Sequence, residues 1–106
     1  MAQIIWTEPA LNELNEIAEY IALDNFDAAQ RLVRSAFDRI DQLLNHPKSG
    51  RQPPELPKTT IYREVIVGPC RIFYRLESKK IIIIYVIRSE RTLRKFILED
   101  RAELGS

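Results

Sequence analysis

One cysteine, one histidine and three glycines in 106 residues remove many familiar enzyme chemistries before any motif is considered. Cys70 has no second thiol, so an intramolecular disulfide is excluded and a reducing compartment, the cytoplasm, is expected. His46 and Cys70 lie outside any ligand spacing, which predicts no metal and no cofactor. The same scarcity leaves a cysteine nucleophile without a histidine base. With glycine only at positions 50, 68 and 105, neither G-x-G-x-x-G nor the G-x-x-x-x-G-K-[ST] phosphate cradle can be formed. Long apolar runs are also missing. The longest, Ile81 to Ile87, has seven residues, too few to cross a bilayer, and Met1-Ala2-Gln3-Ile4-Ile5-Trp6 lacks the basic stretch of a secretory leader. What remains, 45% hydrophobic and 29% charged residues, has the balance of one soluble domain over 1–106 with no membrane partner.

The net charge of +1 conceals a polarity along the chain. Residues 1–45 hold eight acids against three arginines, a net −5, while residues 58–95 hold ten Lys or Arg against three Glu, a net +7. A cationic C-terminal half suits an anionic partner, either nucleic acid or an acidic protein segment.

Periodicity divides the chain into elements. Gln3 to Trp6 is a short apolar strand, and Thr7 followed by Pro9 has the chemistry of a helix start. Leu11, Leu14, Ile17, Ala18 and Ile21 then recur at helical spacing to about Leu23. A cleaner stripe, Ala29, Leu32, Val33, Ala36, Phe37, Ile40, Leu43 and Leu44, predicts a second helix over 26–46, with His46 closing its C-terminus, where a cation is favourable. So short a link makes the two helices an antiparallel hairpin. Residues 48–57, rich in Gly and Pro, form an ordered loop.

Three β-rich runs follow, Thr60 to Val67, Cys70 to Glu77 and Lys80 to Arg88, as consecutive hairpin strands. The last is apolar on both faces and is expected to be central, with Leu32, Phe37, Ile40, Ile72 and Ile84 in one buried cluster. Leu93, Phe96, Ile97 and Leu104 permit a short C-terminal helix that folds back, capping the sheet, or docks elsewhere. The fold class that results is α+β, a two-layer sandwich ordered β-α-α-β-β-β.

Alternation in the run Cys70 to Glu77 separates Cys70, Ile72, Tyr74 and Leu76 on a core face from Arg71, Phe73 and Arg75 on the reverse. Arg63 and Arg88 are expected to join that reverse face, leaving it open to grip another macromolecule. Cations with an interleaved aromatic suit phosphate contact and base stacking. The same arginines could equally be paired with Glu64, Glu77 and Glu90, and spacing leaves both readings open. Trp6, Phe37, Phe73 and Tyr85 also read as core aromatics.

The succession Trp6-Thr7-x-x-Ala10-x-x-x-Leu14-x-x-Ile17-x-x-Tyr20-Ile21, Ala28-Ala29, His46-Pro47-x-x-Gly50-Arg51, Pro54-Glu55-Leu56, Tyr62-Arg63-Glu64-Val65 and Arg71-Ile72-Phe73-Tyr74-Arg75 resembles the ParE/RelE superfamily of bacterial type II toxins over about residues 4–91. The resemblance implies an N-terminal helical hairpin packed on a twisted antiparallel sheet. It also implies a cognate antitoxin that wraps the sheet with an acidic segment ordering on binding.

Two activities exist among such toxins. ParE-like members poison DNA gyrase by protein contact; RelE-like members cut mRNA on the ribosome without metal. RNA cleavage by its own 2′-OH needs a base, cations for the phosphorane charge and an acid for the leaving oxygen. By resemblance Glu55, Arg63, Arg71 and Arg88 would supply that set. Arg88, however, stands where nuclease members carry His or Tyr, and a guanidinium is a poor proton donor. Lys58 alone precedes Arg63, where some ribosome-dependent members have paired lysines. These departures, with the long helical hairpin, favour the gyrase-directed branch. On that reading no residue is catalytic, and the binding surfaces are Arg63, Arg71, Phe73, Arg75 and Arg88 together with Arg91, Leu93, Arg94, Lys95 and Phe96. An inactive member persisting as an antitoxin-binding module is a third reading.

Overall fold

The computed structural model describes residues 2–105. Strand β1 (Gln3–Trp6) leads into helices α1 (Glu8–Ala22) and α2 (Phe26–Asp41), with a 3-10 turn over Gln42–Leu44. Strands β2 (Tyr62–Val67), β3 (Cys70–Glu77) and β4 (Lys80–Arg88) follow, and the short helix α3 (Lys95–Asp100) ends the series. The second helix therefore tightens to 3-10 after Asp41 instead of continuing to 46.

The sheet order is β1-β4-β3-β2. β2, β3 and β4 pair antiparallel as hairpins, while β1 lies parallel to β4, with Ile4 beside Ile81 and Trp6 beside Ile83. β4 is central, as its two-sided apolarity requires. Thr7 occupies the N-cap position of α1 without capping it by its side chain. Its hydroxyl donates instead to the Ile83 carbonyl at 2.7 Å, beside the Thr7 amide, which donates to the same oxygen at 3.1 Å and extends the β1–β4 ladder by one residue. Asn25 does cap α2, its Oδ1 accepting from the Ala28 amide at 3.0 Å.

The helices cover one face of the sheet. Ala10, Leu14, Leu32, Ala36, Ile40 and Leu43 pack on Val65, Val67, Cys70, Ile72, Tyr74, Ile81, Ile83 and Val86. Trp6 and Phe37 close its margin, their rings 4.9 Å apart. Burying each of the large aliphatic side chains contributes about 1.5–3 kcal/mol relative to exposure.

Ile84 does not join this cluster. The register pairs Tyr74 with Ile83 and Phe73 with Tyr85, so Ile84 is an extra residue in β4. Such a bulge interrupts the alternation of faces. Ile84 and Tyr85, adjacent in sequence, consequently both turn to the reverse side, where they pack with Phe73, Ile87, Leu93 and Leu98.

That reverse side is not open. The chain folds back over it after Arg88, and Leu56, Ile97 and Leu104 add to the cover. Phe73 is fully buried, and Arg71 and Arg75 are only 5% and 3% exposed. The expectation of an exposed cationic face fails because β4 and β3 are too apolar on this side to stay wet. The α3 segment supplies the missing layer. Its closing Gly105 adopts φ +78°, and a Cβ there would stand 2.7 Å from Ile82.

Candidate functional site

Arg71 is the centre of the reverse layer. Strand alternation aims it at the cover rather than at the helices, between Ile66 of β2 and Ile87 of β4. Its Nε and Nη2 donate to the two oxygens of Glu64 at 2.7 and 3.0 Å. Its Nη1 and Nη2 donate to the two oxygens of Glu55 at 2.7 Å each, and Nη1 also reaches the Arg91 carbonyl at 3.1 Å. Every N–H of the guanidinium is thus engaged.

Glu64, whose side chain is fully buried, also accepts from Arg51 Nε at 3.2 Å. Arg51 and Glu64 are bridged through their backbones too, so the Pro-rich loop continues the sheet beyond β2. The Leu93 amide donates to Glu55 at 3.0 Å. The cluster therefore ties the 51–56 loop and the 91–93 turn to the middle of the sheet. Arg71 also lies 5.0 Å from the Phe73 ring centroid.

The Arg71 guanidinium above all, aided by the Leu93 amide and opposed by burial, holds the Glu55 carboxyl down from 4.5 to about 2. Hydrogen bonds from Glu55 and Glu64 in turn hold Arg71 more firmly protonated than a free guanidinium. A carboxylate with so little proton affinity is a weak general base, and a donor-saturated guanidinium has no N–H left for a phosphate. Because Glu55 binds its proton less readily when folded than when unfolded, its stabilisation is full above 4.5 and is lost as pH falls through about 2. Urea midpoints measured down through that window should fall, and Glu55→Gln should flatten the fall. Equal slopes would show that Glu55 is unpaired in solution.

The other anticipated cations divide between the two faces. Arg75 stays on the reverse side, bonding Glu77 at 3.1 Å and the Leu104 carbonyl at 2.9 Å. Arg63 sits opposite Tyr74, hence on the helix side, where Nη1 donates to the carbonyls of Gly50 at 2.8 Å and Lys48 at 3.2 Å. Arg88 sits opposite Cys70, also on the helix side, paired with Glu90 at 2.9 Å and lying 5.7 Å from the Tyr20 ring. Of Glu55, Arg63, Arg71 and Arg88, only Glu55 and Arg71 meet. Pairing with Glu64, Glu77 and Glu90, the alternative that spacing left open, is what Arg71, Arg75 and Arg88 adopt.

The C-terminal residues also separate. Leu93 is buried under the sheet, whereas Arg91, Arg94, Lys95 and Phe96 are exposed, Phe96 by 58%. Sequence reasoning passed over Glu13, Arg101 and Leu98. Arg101 donates to both oxygens of Glu13 at 2.8 and 3.1 Å and to the Ile84 carbonyl at 3.1 Å, and Glu13 also accepts from the Val86 amide at 3.1 Å. The spacing of Leu93, Ile97 and Leu104, with Leu98 between them, was the local signal of the cover. The pairing of Glu13 with Arg101, far apart in the chain, leaves no local trace. Among the described residues no helix is long and apolar enough to cross a membrane.

Comparison with known proteins places this arrangement. The Sinorhizobium fredii protein Y4kP is 38% identical over 89 residues, 82% of this chain and 88% of that protein. Toxin RelE2 of Caulobacter vibrioides is 32% identical over 94 residues, 89% of this chain and 99% of that protein. The fold matches a solved chain of the chromosomal ParDE TA system from P. aeruginosa with a TM-score of 0.70, at 23% identity, covering 85% of this chain and 98% of that one. The family model for the ParE toxin of the type II toxin-antitoxin system parDE matches residues 4–93, from β1 through the turn that caps Arg71, and the chain belongs to that toxin family.

Proposed function

We propose that this toxin acts in the cytoplasm, as one domain, by binding DNA gyrase directly without catalytic chemistry, and that a cognate antitoxin restrains it. The observation that carries the reading is the closed state of Arg71. A ribonuclease would need that guanidinium on a scissile phosphate, yet its donors are taken by Glu55, Glu64 and the Arg91 carbonyl. Arg63 and Arg88, on the opposite face, are too dispersed to complete an acid–base set. A protein-contact poison needs only an exposed, chemically distinctive surface. The turn bearing Arg91, Arg94, Lys95 and the exposed Phe96 provides cations around an aromatic anchor.

Purified toxin added in excess to gyrase and relaxed plasmid should abolish supercoiling and leave cleaved DNA trapped. Phe96→Ala, which removes an exposed ring and leaves the core intact, should weaken the inhibition. Undisturbed supercoiling would overturn the proposal. So would ribosome-dependent mRNA cuts in a translating lysate that vanish with Arg71→Ala.

A further inference from the structure

The stripes that α1 and α2 turn toward the sheet leave the outer side of the hairpin without a covering layer. There a cleft of about 450 Å³ lies between the two helices. Ala18 and Ala22 of α1 and Ala29 and Val33 of α2 line it with small apolar groups. Phe26, the first residue of α2, stands at its margin with 63% of its surface exposed. Leu23, at the close of α1, is 82% exposed. Asn25 caps α2 through the Ala28 amide, so the Phe26 ring is carried on a fixed turn. Two large apolar side chains this exposed, beside an apolar cleft, mark a contact surface.

The charges on the two rims identify what covers it. Glu19 stands on the α1 rim and Arg34 on the α2 rim. Both are exposed, and among the described residues neither has an ion-pair partner. A nucleic acid or an anionic membrane would be attracted by one rim and repelled by the other. A surface with one charge of each sign on either side of an apolar cleft complements itself. A two-fold axis parallel to the helices lays α1 of each copy antiparallel on α2 of the other. Because Glu19 and Arg34 flank the same cleft, that axis brings Glu19 of each copy to Arg34 of the other. It also sets each Phe26 ring against Ala22 of the opposite copy.

We infer that the outer face of the helical hairpin is a self-association surface, which joins two copies of this chain through a layer of four helices. Self-association here requires neither gyrase nor antitoxin. The apolar contacts of Leu23 and Phe26 supply affinity, and the two symmetric Glu19–Arg34 pairs fix the register and exclude partners of a single charge sign. Stable interfaces engage about 20–30 residues a side, more than this cleft and its rims provide. The dimer is therefore a weak one, with a dissociation constant in the micromolar range.

Sedimentation equilibrium on the full chain, from about 1 μM to about 1 mM, should show a reversible monomer–dimer equilibrium. Glu19→Arg alone and Arg34→Glu alone should each weaken it by about tenfold or more, because each sets like charges opposite one another twice. Mixed together, the two single variants should associate as tightly as the parent, since the reversed charges then match across the interface. Recovery on mixing also shows that both variants are folded. Phe26→Ala should weaken association by about tenfold without altering any charge. A parent chain that stays monomeric over the whole range overturns the inference. So does a dimer that both reversals leave intact, which would use another face, and so does a mixture no tighter than the single variants. If the parent is monomeric and Phe26→Ala instead loses affinity for the antitoxin, the cleft receives that partner and the inference is likewise overturned.

Discussion

Arg71→Ala should lower the unfolding free energy by about 3–5 kcal/mol, because removing one member of a buried ion pair leaves the other charge without compensation. Here Glu64, fully buried, would keep only the 3.2 Å contact from Arg51, whose side chain is 57% exposed. Glu55 would lose both of its guanidinium bonds, and the 91–93 turn would lose the Arg71 contact to the Arg91 carbonyl. Urea denaturation gives the size of the effect. The double replacement Arg71→Met with Glu64→Leu, which removes the fully buried pair together and leaves Glu55 its bond from the Leu93 amide, should recover part of the loss. A cost of Arg71→Ala below about 1 kcal/mol, the range of solvated pairs, would mean that this guanidinium is exposed to water in solution.

Phe73→Ala tests the same face by a different force. A ring stacked 5.6 Å from Tyr85 and fully enclosed should cost about 3–5 kcal/mol when truncated, from lost transfer energy and the cavity left behind. On an open face the same change would be nearly neutral. The two variants separate electrostatic from apolar closure: Phe73→Ala should be almost independent of salt, since no charge is altered. If both are mild, the α3 segment does not cover the sheet in solution.

The faces of β3 were legible from residue order alone, because a two-residue period admits no other assignment once Ile72 and Tyr74 are in the core. The helical hairpin was legible for the same kind of reason, a sustained stripe from Ala29 to Ile40. The placement of Ile84 was not. A bulge is a difference between two strands, and nothing within Ile81-Ile82-Ile83-Ile84-Tyr85 marks which residue is the additional one. Arg63 and Arg88 were assigned to the wrong face through the same dependence on register.

Residue order by itself determined the elements, their succession, the central position of β4 and kinship with ParE toxins, because each rests on local periodicity or on motifs read in sequence. Tertiary structure alone decided that the reverse face is closed. Whether Arg71 meets a phosphate or Glu55 and Glu64 depends on where a loop sixteen residues upstream and a turn twenty residues downstream come to rest. That outcome follows from burying Phe73, Ile84, Tyr85 and Ile87 under Leu93 and Leu98. Hydrophobic burial has no direction: apolar spacing marks which side chains will be covered but not what covers them, and only the packed chain shows that.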